Sequence, residues 1–124
     1  MLTAHVTRRL MSEPLPTILI TGGAGFIGAH VTRAVLADQR YAQDRVLVLD
    51  DLSGGFRDNV PDDPRCQFLA GSITDDALID RVFAEHRIRI VFHLAAYAAE
   101  GLSHFIRRFY YENLRAHSAT FLDG

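Results

Sequence analysis

Lysine is absent from this sequence: all 13 basic residues are arginines. A guanidinium stays protonated at physiological pH, whereas a lysine amine is readily tuned and deprotonated. Any mechanism that needs a lysine side chain is therefore excluded within these 124 residues. Cysteine is nearly absent, with Cys66 alone. No internal disulfide or thiolate cluster for zinc can form, and a reducing cytoplasm is the expected setting. Cys66 itself reads as a small core residue at a strand start rather than a nucleophile. No apolar run approaches the ~20 residues that span a bilayer. The net charge of -2 offers no basic surface for nucleic acid. The six histidines show no metal-ligand spacing. Internal repeats and low-complexity tracts are missing too.

What is present is concentrated between Thr17 and Val35. Thr17–Thr21 is a short apolar run rich in β-branched residues, the pattern of a strand buried on both faces. Gly22, Gly23, Ala24 and Gly25 follow at once and demand a sharp turn. Ile27, Val31 and Val35 then recur at every fourth position, which predicts a buried helix face. Strand, glycine turn and helix together aim backbone N–H groups and a helix N-terminus at a phosphate. Gly22, Gly25 and Gly28 fit a dinucleotide fingerprint. Gly22 is expected to take positive φ at the strand end. Gly25 lets a pyrophosphate approach with no Cβ in the way, and Gly28 lets the helix pack close against the strand.

Pro14 and Pro16 suit the approach to a strand rather than its centre, and residues 1–15 read as an extension ahead of a domain covering 16–124. The first helix is expected from about Gly25 to Asp38. Arg45–Leu49 reads as a second strand, ending in Asp50 and Asp51. An acid at a second strand's end, roughly 20 residues past the glycines, completes the fingerprint. Asp50 can accept hydrogen bonds from both hydroxyls of an adenosine ribose and would repel a 2′-phosphate, which favours NAD over NADP. Ser53, Gly54 and Gly55, in the loop from Leu52 to Pro64, could lie along the adenosine. Gln67–Ala70 reads as a third strand. Thr74 or Asp75 is expected to cap a second helix whose buried face carries Ala77, Leu78, Val82 and Phe83. Arg89–Ala96 reads as a fourth strand and its exit. His93 within it is expected to be a packed, hydrogen-bonded core residue rather than a catalyst or ligand. The small residues Ala95, Ala96, Ala98, Ala99 and Gly101 would let backbone lie close to a flat cofactor. From Ser103 a third helix is expected, with Phe105, Ile106, Phe109, Tyr110, Asn113 and Leu114 on one face and Arg107, Arg108, Glu112 and Arg115 elsewhere.

This alternation predicts an α/β fold, a partial Rossmann-like doubly wound parallel sheet with helices on both faces. Right-handed crossovers give the strand order 3-2-1-4. A ligand then lies across the carboxyl ends, where strands 1 and 4 diverge. The fourth strand, without a fifth neighbour, would be an apolar edge open to self-association.

The stretches TGGAGFIGAH at 21–30, VLVLDDLSGG at 46–55, FLAGSITD at 68–75 and VFHLAAYAAEGLS at 91–103 resemble the extended short-chain dehydrogenase/reductase family. Within it they are most similar to NAD-dependent sugar-nucleotide epimerases and dehydratases of the UDP-glucose 4-epimerase kind. The resemblance implies that Gly22, Gly25, Phe26, Ile27 and Gly28 hold a pyrophosphate. It implies that Asp50, with Asp51 and Ser53 beside it, holds the ribose, and that Ser72 and Ile73 meet adenine. Leu94, Ala95, Ala96 and Ala98 would border the nicotinamide-side ribose.

Three features depart from the family. Ser72 stands where an Asp is usual. FYYENL at 109–114 carries one Asn where two are common. The catalytic Tyr-x-x-x-Lys is missing: Tyr111-x-x-x-Arg115 has the spacing in the wrong segment, with an arginine that cannot titrate. In the family that tyrosine removes a sugar hydroxyl proton while hydride passes to NAD. The expectation is a truncated NAD-binding half, without its substrate domain and not catalytically competent alone. It would meet a sugar nucleotide only within a completed architecture. The alternative is a non-catalytic NAD-binding or regulatory module that assembles through its sheet edge.

Overall fold

The computed structural model describes residues 15–95 and 103–112. Four strands form one parallel sheet: β1 (Pro16–Thr21), β2 (Arg45–Asp50), β3 (Cys66–Ala70) and β4 (Arg87–His93). Their order is β3-β2-β1-β4, as the sequence predicts. Helix α1 (Phe26–Ala37) joins β1 to β2, and α2 (Asp76–Glu85) joins β3 to β4. A third helix, α3, covers residues 103–112.

The apolar runs of β1 and β2 are continuous because each strand is covered twice. Ile18, Ile20, Val46 and Val48 pack with Val35 of α1 on one face. Leu19, Leu47 and Leu49 point the other way, into Leu78, Ile79, Val82 and Phe83 of α2 and Phe105 of α3. Period-two alternation thus divides a single hydrophobic run between two cores. Cys66 is half-buried against the first of them.

β4 changes phase along its length. Its pairing with β1 runs Thr17↔Ile88 and then Ile18↔Ile90, skipping Arg89. Without that shift Ile88 and Ile90 would share a face; with it they enter opposite cores. Arg89 is released to reach the buried Asp44 ahead of β2, with Nη2 2.6 Å from Oδ2 and Nε 3.2 Å from Oδ1. At the same end of the sheet, the Arg65 guanidinium donates to the carbonyls of Leu36, Tyr41, Ala42 and Asp44. The Leu36 carbonyl is one of the groups that the last turn of α1 leaves open.

The helix faces differ in detail from the sequence reading. Ile27 is 67% exposed; the buried positions of α1 are Gly28, Ala29, Thr32 and Val35. The face is turned by about one residue because Gly28, not Ile27, sits against the glycine turn. A Cβ on Gly28 would lie 2.0 Å from the Gly22 carbonyl oxygen and 2.7 Å from Gly23 Cα. The expected strand contact is thus a contact with the turn. In α2, Ala77 is exposed and Ile79 is buried in its place. Asp75 is the cap, accepting from Leu78 N–H at 3.2 Å. In α3, Phe105 is buried, while Ile106 and Tyr110 are exposed. Arg108 turns inward over the Phe83 ring and pairs with Asp80. Asn113, Leu114 and Arg115 lie outside the described residues, as do residues 1–14.

Alanine exceeds glycine in helix propensity by about 1 kcal/mol, so Gly28→Ala would stabilise a helix that had room. Here the backbone contact decides the sign. Gly28→Ala is expected to lower unfolding free energy by about 2 kcal/mol or more, measured by urea denaturation. A stabilised variant would contradict this packing.

Candidate functional site

The C-terminal ends of β1, β2 and β4 open onto a cleft of about 220 Å³. Gly22, Gly25, Leu49, Asp50, Asp51, Ser53, Gly54, Gly71, Ile73, Leu94 and Ala95 line it.

Gly22 has φ +73°, the left-handed conformation expected of it. Its Cα also faces the exit of β4: an added Cβ would meet Ala95 N at 2.7 Å and the Leu94 carbonyl carbon at 2.8 Å. Backbone of the glycine turn therefore touches backbone of the β4 exit. Gly25 differs in kind. Its φ of -76° and ψ of 173° suit any residue, and a Cβ there would come no closer than 3.5 Å to the protein. Among the described residues nothing requires glycine at this position. Gly25 also starts α1 without a side-chain cap, leaving first-turn N–H groups for another acceptor. A negatively charged group approaching the turn would find a helix N-terminus with no Cβ in front of it.

Asp50 is buried, with 8% of its surface exposed. Oδ2 accepts the Ala24 N–H at 2.9 Å, and Oδ1 accepts the Leu52 N–H at 2.7 Å. The acid and the turn are thus in direct contact, within reach of one ligand. A carboxylate has about four acceptor sites, so each oxygen keeps capacity for a hydroxyl donor. Leu52 has φ +65°, the left-handed region, where the chain doubles back under Asp50. Asp51 is exposed and accepts the Ser53 N–H at 2.9 Å.

The remaining sequence-predicted residues fall into three groups. Ile73, Leu94 and Ala95 line the cleft. Phe26 and Ile27 begin α1, but their side chains project into solvent; Phe26 is 78% exposed, edge-on to His30. Ser72 does not line the cleft: its hydroxyl lies 2.7 Å from Thr74 Oγ1 and accepts the Thr74 N–H, a local turn ahead of α2. Ala96 and Ala98 lie outside the described residues. Sequence reasoning did not single out Leu49 or Gly71. Gly71 directly follows β3, at the same sheet end as Asp50, and its N–H donates to the Asp50 carbonyl at 3.1 Å; that position after a strand was the available signal.

His93 ends β4 with Nδ1 2.6 Å from Thr21 Oγ1 and its ring tilted against Phe105. It is hydrogen-bonded as expected, but it is an exposed residue and not a core one, because it sits at the sheet's end. Thr21 Oγ1 also accepts the Leu94 N–H at 3.2 Å, so the pair fastens β1 to β4 where the cleft opens. Burial pushes the His93 imidazole below its ordinary value.

Parallel strands in this order, helices on both faces and a cleft at the point of divergence define a Rossmann-like α/β unit. Residues 18–119 match the sequence model of the NAD dependent epimerase/dehydratase family, and the chain belongs to that family. Among curated relatives, a UDP-glucose 4-epimerase of Azospirillum brasilense is 38% identical over 107 residues, covering 86% of this chain and 29% of that protein. A dTDP-glucose 4,6-dehydratase of Neisseria gonorrhoeae is 42% identical over 91 residues, covering 70% and 25% respectively. Among solved structures, the Bordetella bronchiseptica enzyme WbmH in complex with NAD+ superposes with a TM-score of 0.67 at 26% identity, covering 78% of this chain and 36% of that one. The UDP-glucose 4-epimerase of Thermotoga maritima, with UDP-glucose, gives 0.56 at 40% identity, covering 70% and 26%. The chain spans about a quarter of the length of the curated relatives it matches.

The lowered His93 value has a definite consequence for stability. The unfolded chain takes up a proton near the ordinary histidine value of about 6.5, while the folded chain resists it. Stability is then complete above about pH 6.5 and falls as pH drops below it. His86 is lowered in the same sense, also by burial. His93→Gln should therefore flatten part, not all, of the acid-side loss, read from urea midpoints between about pH 5 and 7.5. An unchanged profile would count against the burial of this imidazole.

Proposed function

We propose that this chain is an NAD-binding unit of a sugar-nucleotide epimerase/dehydratase-like protein, and that it does not turn over substrate by itself. The observation that carries the reading is the contact between Asp50 and the glycine turn in one cleft. The turn and the first-turn N–H groups of α1 would hold the pyrophosphate, with Gly25 as its point of approach. Asp50 would hold the adenosine ribose through its remaining acceptor sites, with Asp51 and Ser53 at the rim. Ile73 would offer an apolar wall to adenine, and Leu94 and Ala95 would border the second ribose. The fit to this cofactor rests on Gly25, whose missing side chain serves no contact among the described residues. NAD when bound accepts and returns hydride.

Ser72 contributes less than the acid usual at its place, because its hydroxyl is engaged with Thr74. Asp50 disfavours a 2′-phosphate by charge repulsion, so NAD is preferred over NADP. The chain contains no lysine, so the proton-transfer pair of the family is not supplied by these residues. A sugar nucleotide is the substrate class only where further chain completes the site. With a single cysteine, the cytoplasm is the compartment we assign. No helix among the described residues is long and apolar enough to cross a membrane.

A second reading has its own support. Among the described residues β4 pairs only with β1, and its Ile90, Val91 and Phe92 are half-buried. An apolar strand of this kind favours pairing with another chain, which suits a non-catalytic module that assembles through that edge.

Calorimetric titration is expected to detect NAD binding and weaker or absent NADP binding. Serine is a better N-cap than glycine, and a Cβ at position 25 meets no obstacle. Gly25→Ser should therefore keep or raise thermal stability while weakening NAD at least about tenfold. Wild-type protein without NAD affinity, or a Gly25→Ser variant that binds normally, would overturn the proposal. Sugar-nucleotide epimerisation by the isolated chain would overturn its non-catalytic part. For the second reading, light scattering should report dimers or larger species; a monomer at high concentration speaks against it.

A further inference from the structure

The Ala24 carbonyl is the least expected acceptor beside the cleft. Ala24 is fully buried, and its oxygen takes two donors from the loop after β2: Phe56 N–H at 3.0 Å and Asn59 Nδ2 at 2.9 Å. A carbonyl oxygen has two lone pairs, so both are used. The loop comes so close that a Cβ on Gly55 would lie 2.3 Å from that oxygen. Asn59 does not line the cleft. It ends a short 3-10 turn, Arg57–Asn59.

A peptide group is planar, so fixing a carbonyl fixes the N–H of the next residue. The Ala24 carbonyl shares its plane with the Gly25 N–H, which donates to the Gly22 carbonyl at 3.2 Å. The preceding plane is held by Asp50 through the Ala24 N–H. Both peptides flanking Ala24 are therefore oriented from β2, one by its last residue and the other by the loop after it. We propose that Asn59 is a positioning residue: acting through the Ala24 carbonyl, it sets the glycine turn for a diphosphate without touching the ligand. The inference rests on the reading that the turn receives the pyrophosphate.

Asn59→Ala removes one donor. Asn59→Asp keeps the shape but sets a carboxylate oxygen against the carbonyl. Two measurements test the role. The first needs no ligand: hydrogen exchange at the Gly25 amide should quicken in Asn59→Ala, with the β1 and β2 amides unchanged. The second compares ligands of increasing length. Asn59→Ala should weaken ADP and NAD about five- to tenfold, the worth of a typical hydrogen bond, and leave adenosine within about twofold. Asn59→Asp should lose more at neutral pH. Equal losses for adenosine and ADP would make Asn59 a general loop support and overturn the inference. Unchanged ADP binding together with unchanged Gly25 exchange would overturn it as well. Wild-type protein that fails to bind ADP would sink the reading of the site itself; quicker Gly25 exchange in Asn59→Ala would even then support control of the turn.

Discussion

Asp50 accepts the Ala24 N–H from one side, and Phe56 and Asn59 donate to the Ala24 carbonyl from the other. Ala24 has no surface exposure, so an unpaired group there would carry the full desolvation penalty of a buried amide. The turn after β1 is therefore not independent of the chain after β2. The glycines permit the turn, but their conformational freedom would leave it loose; the acid and the loop take that freedom away. The cleft wall is organised by the same contacts, because Asp50 has its carbonyl bonded to Gly71 at the end of β3. Three strand ends are joined through one residue.

The strands were legible because their signal is chemical and redundant. Ile18, Leu19, Ile20, Val46, Leu47 and Val48 are apolar whichever way they point, and both faces are covered. The spacing of the glycines and Asp50 carried the site, since each residue type answers a backbone or charge requirement that few others meet. The phase of α1 was not legible. Ile27, Val31 and Val35 form a plausible stripe, but a glycine contributes nothing to a hydrophobic pattern, and Gly28 decides which side faces inward. Ala77 was misplaced for a similar reason: alanine fits either surface of a helix, and Ile79 supplies the buried bulk. The role of Asn59 was hidden because it works through a carbonyl 35 positions away, a pairing that no local pattern encodes.

β4 illustrates a different limit. Its register shift at Arg89 sends Ile88 and Ile90 into opposite cores and turns an arginine toward Asp44. Alternation in the sequence around Arg89 looks regular, so nothing local announces the shift. It follows from a long-range demand: Asp44 is buried at 5% exposure, and an isolated carboxylate there would be costly without a cation. The structure resolves the conflict between regular pairing and charge compensation in favour of the charge.

The Asp44–Arg89 pair and the Arg65 carbonyl cluster lie at the amino ends of the strands, and the cleft lies at their carboxyl ends. The sheet keeps its fastening and its recognition at opposite poles, separated by two cores of aliphatic side chains. Adaptation to a hotter or colder habitat can thus proceed at one pole, by strengthening or relaxing arginine contacts, while selection for a different ligand proceeds at the other. A lineage built on this scaffold can change its heat tolerance and its chemistry along separate routes.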